Sequence, residues 1–503
     1  MFLTRGLLLA GSLLWALAYP PLPLGFLAFF TLVPIFIGTS RLSPKRAFLE
    51  NFLAGTVYNA VMYWWIYNVI AVGPAFIIGG GLVLLILYLS LFNGLLGWLF
   101  RHCLSIRGGM WVFPFLWAGL EALRAYGQMS FPWNNLGYTQ GHYLPIIQSV
   151  RVLGTYGLSL IIVSVNVLLF TAWRLRGKYR LAAMAGAVIL PGLLWISGSL
   201  QLNQPMPAAP ALEIALVQPS IPQTRKWKES YFLEVVQKTF ATMDNALGKI
   251  KSADLVVLPE TAIPDFLSMR KDVIHEFQLR SNRWQKPILL GALDYRVDKK
   301  PWSEYTFYNA AFLFRPGRDK LLQYNKLRLV PFSEKLPFGN IFPVINYVNL
   351  GEGDFSEGEG HALWAGDTAV SPSICYEVIY PSLIREARLQ GAKLLVNITN
   401  DGWFGISNAP YQHANIARFR AIETGAPMAR CANTGVTVFY DYRGRILGKT
   451  RLMENTILLR SLPRYEEATF YLRHGDIMDK AISLSFWLGL GFLWLRGKTT
   501  RRR

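Results

Sequence analysis

The sequence predicts a two-part protein: a multispan α-helical membrane domain joined to an α/β layered domain. Three observations carry this. The chain of 503 residues is 52% hydrophobic, with a mean hydropathy of +0.27, which is apolar for a soluble protein of this length. Long apolar runs crowd the first 200 residues, and short β-rich runs bounded by turn residues fill 211–465. Length alone argues for two or more domains.

Apolar spans are read at 6–20, 22–39, 50–71, 74–100, 109–124, 145–171 and 181–200, and again at 481–495. A helix needs ~20 apolar residues to cross a bilayer. The runs at 50–71, 74–100, 145–171 and 181–200 meet this comfortably. The first two and the last are short, and Pro20, Pro21 and Pro23 break the first pair. Almost no polar or charged residue is read in mid-span.

Basic residues alternate between the gaps. Arg5 precedes the first span; Arg41, Lys45 and Arg46 follow the second; Arg101 and Arg107 follow the fourth; Arg174, Arg176, Lys178 and Arg180 follow the sixth; the chain ends RGKTTRRR. The turn near 72–74 and the loop 125–144 have none. Eight spans with both ends in the cytoplasm fit this pattern and put the large segment between spans seven and eight outside. An alternative for the first run is a signal peptide, with one basic residue, an apolar core and Ala16 and Ala18 at its end. It leaves the orientation of the later spans unchanged.

The net charge of +20 invites a nucleic-acid reading. Short loops and termini hold 15 Lys/Arg and no acid, whereas 203–495 holds 34 Lys/Arg against 29 Asp/Glu. The excess sits beside the spans, so it is a topology signal and not a nucleic-acid footprint. Three cysteines exclude a disulfide scaffold. Six histidines without an H-x-x-x-H pattern give no metal site.

The second part begins after the Pro/Ala-rich linker 201–211. The runs LEIALVQPSIP, ADLVVLPETAIP, KPILLGALDY, YNAAFLFRPGR, TAVSPSICYEVIYP, KLLVNITNDGWFG and GVTVFYDYRGRIL read as strands. Polar helical stretches at 229–250, 266–284 and 381–391 lie between several of them. Continuous apolar strands alternating with helices predict an α/β layered domain over 212–465. A final span at 481–495 and a basic tail at 496–503 complete the chain.

Three residues at or just after strand-like runs make chemical sense together. Cys375 in SICYEVIYP is a candidate nucleophile. Glu260 in LPETAIP is a candidate general base, provided burial raises its pKa. Lys326 in YNKLRLVPFSE is a candidate oxyanion stabiliser. Singly, each has an ordinary explanation: a cysteine closing a strand is commonly packing, and a lone Glu or Lys beside a strand is commonly a solvated edge charge.

The motifs LPETAIP, NKLRLVPFSE, CYEVIYP and NDGWFG, in this order, resemble those of the carbon–nitrogen hydrolase (nitrilase) superfamily. With the multispan N-terminus and single C-terminal span, the whole chain resembles its membrane-embedded apolipoprotein N-acyltransferase branch. The resemblance implies a nitrilase-like α-β-β-α sandwich and a Glu260, Lys326, Cys375 triad. It implies supporting roles for Glu334, Tyr376 (through its backbone N–H) and Glu377, and substrate contacts from Trp227, Trp403 and Phe404. It implies no cofactor and no metal. The expected partners are a phospholipid acyl donor, phosphatidylethanolamine, and a diacylglyceryl apolipoprotein, served by a monomer in the bacterial inner membrane with its catalytic domain on the periplasmic side. A thioester on Cys375 would link the two half-reactions. A free thiol outside the cytoplasm faces oxidation, so Cys375 is expected to stay reduced and unpaired with Cys431.

Other features have plainer readings. Cys103 and Cys431 are expected to be structural. The Gly-rich piece 77–83 lies inside a span and suits close helix packing. Glu121 and Arg124 are expected as interfacial anchors. The aromatic-rich loop 126–143 fits an interfacial belt or a wall of a lipid path. Two rivals remain: a membrane-tethered amidase or nitrilase that uses water, and a transporter bearing a dead hydrolase. A tether needs one span, not eight, and a transporter needs polar mid-span residues.

Overall fold

The computed structural model describes residues 1–72, 75–206, 209–300, 303–338, 355–360, 369–464 and 467–501. Residues 73–74 of the uncharged turn, 207–208 of the linker and 502–503 of the tail lie outside these. The chain forms two compact units, one of Met1–Tyr67, Phe76–Pro205 and Arg473–Arg503, the other of Asn68–Ala75 and Met206–Leu472.

The first unit is helical. Among the described residues four helices are long and apolar enough to cross a membrane: Ala75–Leu104, Val150–Arg174, Gly177–Asn203 and Phe470–Gly497. Against the eight expected spans, the helices differ in their bounds. The run at 22–39 divides into a 3-10 turn, Gly25–Phe29, and a short helix, Leu32–Ser40. The run at 50–71 belongs to a helix that starts earlier, at Pro44, and ends at Tyr63. Its first turns hold Lys45, Arg46 and Glu50, which dilute its hydropathy. The runs at 6–20 and 109–124 become the short apolar helices Phe2–Leu17 and Gly109–Leu123. The last run is only the apolar half of the helix Phe470–Arg501. Its other half carries charges compatible with a helix, such as Lys480 paired with Asp476 at 2.8 Å.

The expectation of almost no polar residue in mid-span is also corrected. Asn51 Nδ2 donates to Thr39 Oγ1 at 2.9 Å, Asn59 Nδ2 to Ser90 Oγ at 3.1 Å, and Asn166 Nδ2 to Ala28 O at 2.8 Å. These are neutral amides satisfied inside the unit. Glu121 is buried and accepts from Trp117 Nε1 and Leu136 N, both at 2.9 Å. Arg124 donates to Phe131 O at 3.1 Å and to Asn134. The two charges therefore pin the loop 126–143 and are not water-facing anchors. Trp133 and Tyr138 of that loop are buried within the unit, whereas Tyr126 is exposed. Gly119 lies against the last helix, where an added Cβ would meet Ile482 O at 2.7 Å.

The second unit holds two sheets. In chain order the strands are β1 (Ala211–Gln218), β2 (Leu255–Val257), β3 (Ile263–Phe266), β4 (Ile288–Lys300), β5 (Ser303–Arg315), β6 (Arg318–Asn325), β7 (Val370–Ile374), β8 (Leu394–Thr399), β9 (Met428–Ala432), β10 (Val438–Tyr440), β11 (Ile446–Lys449) and β12 (Thr456–Pro463). One sheet runs β12-β1-β2-β4-β5-β6, with β3 beside β4; the other runs β11-β10-β9-β8-β7. Alternation along β1 shows how the layers form. Ala215 and Val217 join a core with Phe232, Val236, Val273 and Phe277 from helices Phe232–Asp244 and Lys271–Trp284. Ile214 and Leu216 face the other way, into a core with Ile374, Leu394, Val396 and Ala429 of the second sheet. Both faces of the strand are buried, so it reads as a continuous apolar run. Helices Pro381–Leu389 and Ala409–Thr424 cover the far side of the second sheet. The result is an α-β-β-α sandwich.

Candidate active site

The candidate residues gather where strands end. Glu260 follows β2, Lys326 follows β6, Cys375 follows β7, Asn400 and Asp401 follow β8, and Asn433 follows β9. β1–β2, β2–β4, β7–β8 and β8–β9 are parallel pairs. Carboxyl ends of parallel strands are where α/β folds assemble sites. The segment bearing Glu260 passes directly over β4. Gly291 N donates to Pro259 O at 3.1 Å, and a Cβ at Gly291 would meet Glu260 Cα at 2.6 Å. Only glycine allows that approach.

The site is a buried, shared charge cluster. Lys326 Nζ stands 3.3 Å from Glu260 Oε1 and 2.7 Å from Glu334 Oε1. Asn309 Nδ2 bridges the same two oxygens, at 2.8 and 2.9 Å. Glu260 Oε2 accepts from Asn400 N at 2.8 Å, and Glu334 Oε2 accepts from Val330 N at 2.8 Å. Lys226, itself buried, donates to Glu260 O at 3.3 Å. Thus Glu334 holds the lysine against Glu260.

The electrostatics correct one expectation. Burial alone would push Glu260 up. The Lys326 charge, Asn309 and the Asn400 N–H outweigh it and hold the carboxyl below its usual value. Glu260 is therefore an ionised carboxylate ready to accept a proton, and not one kept protonated by burial. Burial also works against the Lys326 charge, but Glu334 and Glu260 raise its pKa well above normal. Burial and the Glu260 charge push the Cys375 thiol well above its normal value. The resting pair is thus a neutral thiol and a carboxylate.

Cys375 is buried and has φ 50°, a left-handed conformation unusual for a residue with a side chain. It sits at the sharp turn between β7 and the 3-10 segment Cys375–Ile379. Glu377 stabilises that turn. Its carboxyl accepts from Ile374 N and Leu327 N, each at 2.6 Å, and from Tyr324 Oη at 2.9 Å. Burial pushes its pKa up to about 7 despite these donors. Glu377 so ties the Cys375 turn to the Lys326 segment. Tyr376 is buried beside it. Trp227 and Trp403 are half-buried and their rings stack, with centroids 6.3 Å apart. Phe404 O accepts from Asn68 Nδ2 at 2.7 Å. Cys375, Cys431 and Cys103 are all free thiols. Cys431 is buried between the sheets, with its Sγ 3.3 Å from Val217 O and from Val257 O.

Sequence reading missed Asn309, Asn400 and Lys226. The first lies inside a strand and presented no motif. Asn400 stands within NDGWFG, so the motif could have flagged it. Lys226 adjoins Trp227 but has no motif of its own.

Two families match the chain. Residues 11–168 match the apolipoprotein N-acyltransferase N-terminal domain, and residues 213–469 match carbon-nitrogen hydrolase. A protein from Geobacter metallireducens named apolipoprotein N-acyltransferase is 34% identical, covering 93% of this chain and 91% of its own. One of the same name from Haemophilus influenzae is 28% identical over 97% and 94%. Among solved structures, an amidase from Nesterenkonia sp. aligns with 55% of this chain and 98% of its own, at 17% identity and a TM-score of 0.37. The chain belongs to the apolipoprotein N-acyltransferase family, within the carbon–nitrogen hydrolases.

Proposed function

We propose that this protein transfers an acyl chain from a membrane phospholipid to the α-amine of a diacylglyceryl-modified N-terminal cysteine of apolipoproteins, through a thioester on Cys375. The observation that carries the chemistry is the Lys326 ammonium held between Glu260 and Glu334 where β6 ends. The near full-length likeness to named acyltransferases carries the substrate class.

In the first half-reaction the Glu260 carboxylate takes the Cys375 thiol proton as sulfur attacks an ester carbonyl. Lys326 and the Tyr376 N–H stabilise the oxyanion. The tetrahedral adduct collapses, the lysophospholipid oxygen takes the proton from Glu260, and the thioester remains. In the second half-reaction the α-amine attacks the thioester and loses a proton to Glu260. Sulfur departs and recovers that proton, which leaves an N-acylated lipoprotein and the free thiol. Glu334 keeps Lys326 in place, and Trp227, Trp403 and Phe404 contact substrate. The donor is phosphatidylethanolamine. The enzyme acts as a monomer in the inner membrane with its site facing the periplasm, a reading supported by the alternation of basic loops. Both substrates are lipids, which favours a site approached from the bilayer: burying each CH₂ is worth ~0.8 kcal/mol.

Purified protein incubated with phosphatidylethanolamine should gain one acyl mass on Cys375, located by peptide mass spectrometry. No adduct on Cys375, with acyl transfer still proceeding, would overturn the thioester route.

A further inference from the structure

We propose that His413 is a positioning residue that aims the Tyr376 N–H at the oxyanion by anchoring the carbonyl of Cys375; this rests on Cys375 being the nucleophile. The Cys375 carbonyl and the Tyr376 N–H belong to one peptide unit, and in a trans peptide they point in opposite directions. Whatever fixes one fixes the other. The carbonyl faces two side-chain nitrogens, His413 Nε2 at 3.1 Å and Asn397 Nδ2 at 3.4 Å. With φ at 50°, Cys375 keeps its conformation only because its surroundings over-determine it.

His413 is the better anchor because it is itself locked. Its Nδ1 lies 3.0 Å from Asp401 Oδ1 and 3.0 Å from Arg430 Nη2. Arg430 Nη2 pairs with Asp401 Oδ2 at 2.8 Å, and Thr399 Oγ1 donates to Asp401 Oδ1 at 2.9 Å. These side chains are all buried. Gly435 presses on the carboxylate, since a Cβ there would meet Asp401 Oδ2 at 2.2 Å. Burial and the Arg430 charge lower the His413 pKa, so the ring is neutral. A neutral ring that accepts from Arg430 at Nδ1 carries its proton on Nε2, the tautomer that donates to the carbonyl. Arg430, held in place by Asp401, thus selects the tautomer, and His413 holds the peptide.

Two reactions of the same thiol separate this role from general damage. Acylation passes through an oxyanion; alkylation by iodoacetamide, a displacement at saturated carbon, does not. In the full-length protein, His413→Leu should slow acyl-enzyme formation at saturating phosphatidylethanolamine by about 10²–10³-fold, the usual loss for one oxyanion donor. Half-saturation by the phospholipid and the alkylation rate of Cys375 should each stay within about 3-fold, because neither depends on the oxyanion. His413→Gln keeps an N–H donor and should recover at least about 10-fold of the loss. Equal losses in acylation and alkylation, no loss of acylation, or no recovery in His413→Gln would each overturn the proposal. Wild-type protein that is alkylated at Cys375 but never acylated there would instead overturn the thioester reading beneath it.

Discussion

Replacing Asn309 with leucine tests the charge cluster most finely, because the shape is kept and only the hydrogen bonds go. Asn309 Nδ2 gives one N–H to Glu260 Oε1 at 2.8 Å and the other to Glu334 Oε1 at 2.9 Å. The flipped amide would set its oxygen against two carboxylates, so the orientation is fixed. The residue is 1% exposed, and water does not replace it in leucine's favour. A hydrogen bond to a charged group contributes about 1.5–3 kcal/mol. At 1.36 kcal/mol per pKa unit, the Glu260 pKa should rise by about 1–2 units. Lys326, at 3.3 Å with room to tighten, places the change toward the lower end. The sign is definite. Glu260 is held below its usual value, so in the proposed role of base it should work until the pH falls through that depressed pKa. In Asn309→Leu the acid limb of single-turnover acylation should move to higher pH. Stability should respond in the same sense. The folded carboxylate's contribution is present above the ordinary Glu pKa and is lost as pH falls through the folded one. With less depression, the variant should unfold at a higher pH on acid titration. An acid limb that stays put, or moves to lower pH in folded protein, would refute the assignment of Glu260 as base.

Lys326→Met leaves Glu260 and Glu334 buried without their ammonium. Breaking such a network should cost about 3–5 kcal/mol, seen as a lower thermal midpoint that partly recovers as pH falls and a carboxyl takes up a proton; an unchanged midpoint would count against it. Glu377→Gln must turn an NH₂ toward a group that already donates, among Ile374 N, Leu327 N and Tyr324 Oη. It should cost about 1–3 kcal/mol in denaturant unfolding. Because the Glu377 pKa is raised to about 7, the carboxyl's contribution falls as pH rises through that value. The gap between wild type and Glu377→Gln should therefore shrink as pH rises, and a gap independent of pH would show that Glu377 is not shifted.

How much of this was legible in the sequence depends on how each residue comes to its place. Glu260 and Cys375 were readable because each stands at the end of a strand-like run inside a recognisable motif, and Lys326 through its motif alone. Asn309 was not, since its role depends on lying across from two carboxylates that are 49 and 25 residues away. The same limit hid β6, β9 and β12. The strand β6 reads RDKLLQYN, a polar string that becomes a strand only through pairing with β5. The helix Ala409–Thr424 is buried on nearly every side although it carries His413, Arg420 and Glu423. Periodicity looks for one polar face, and this helix has none; its charges are satisfied internally, with Arg420 and Glu423 paired at 2.8 Å. Hydropathy found the long helices Ala75–Leu104 and Gly177–Asn203 but misplaced the bounds of others, because it scores apolar residues and not how far a helix runs.

Transfer to an amine is the central step, and one partition measures it. Acyl-enzyme formed on Cys375 and freed of phospholipid should be chased with a diacylglyceryl-cysteine peptide bearing a free amine, and amide and free fatty acid counted together. Nearly all of the acyl chain should appear as N-acyl peptide, and release should be slow without the peptide. Rapid loss to water, unchanged by the peptide and accompanied by turnover of soluble amides, would contradict it and make the protein a membrane-tethered hydrolase.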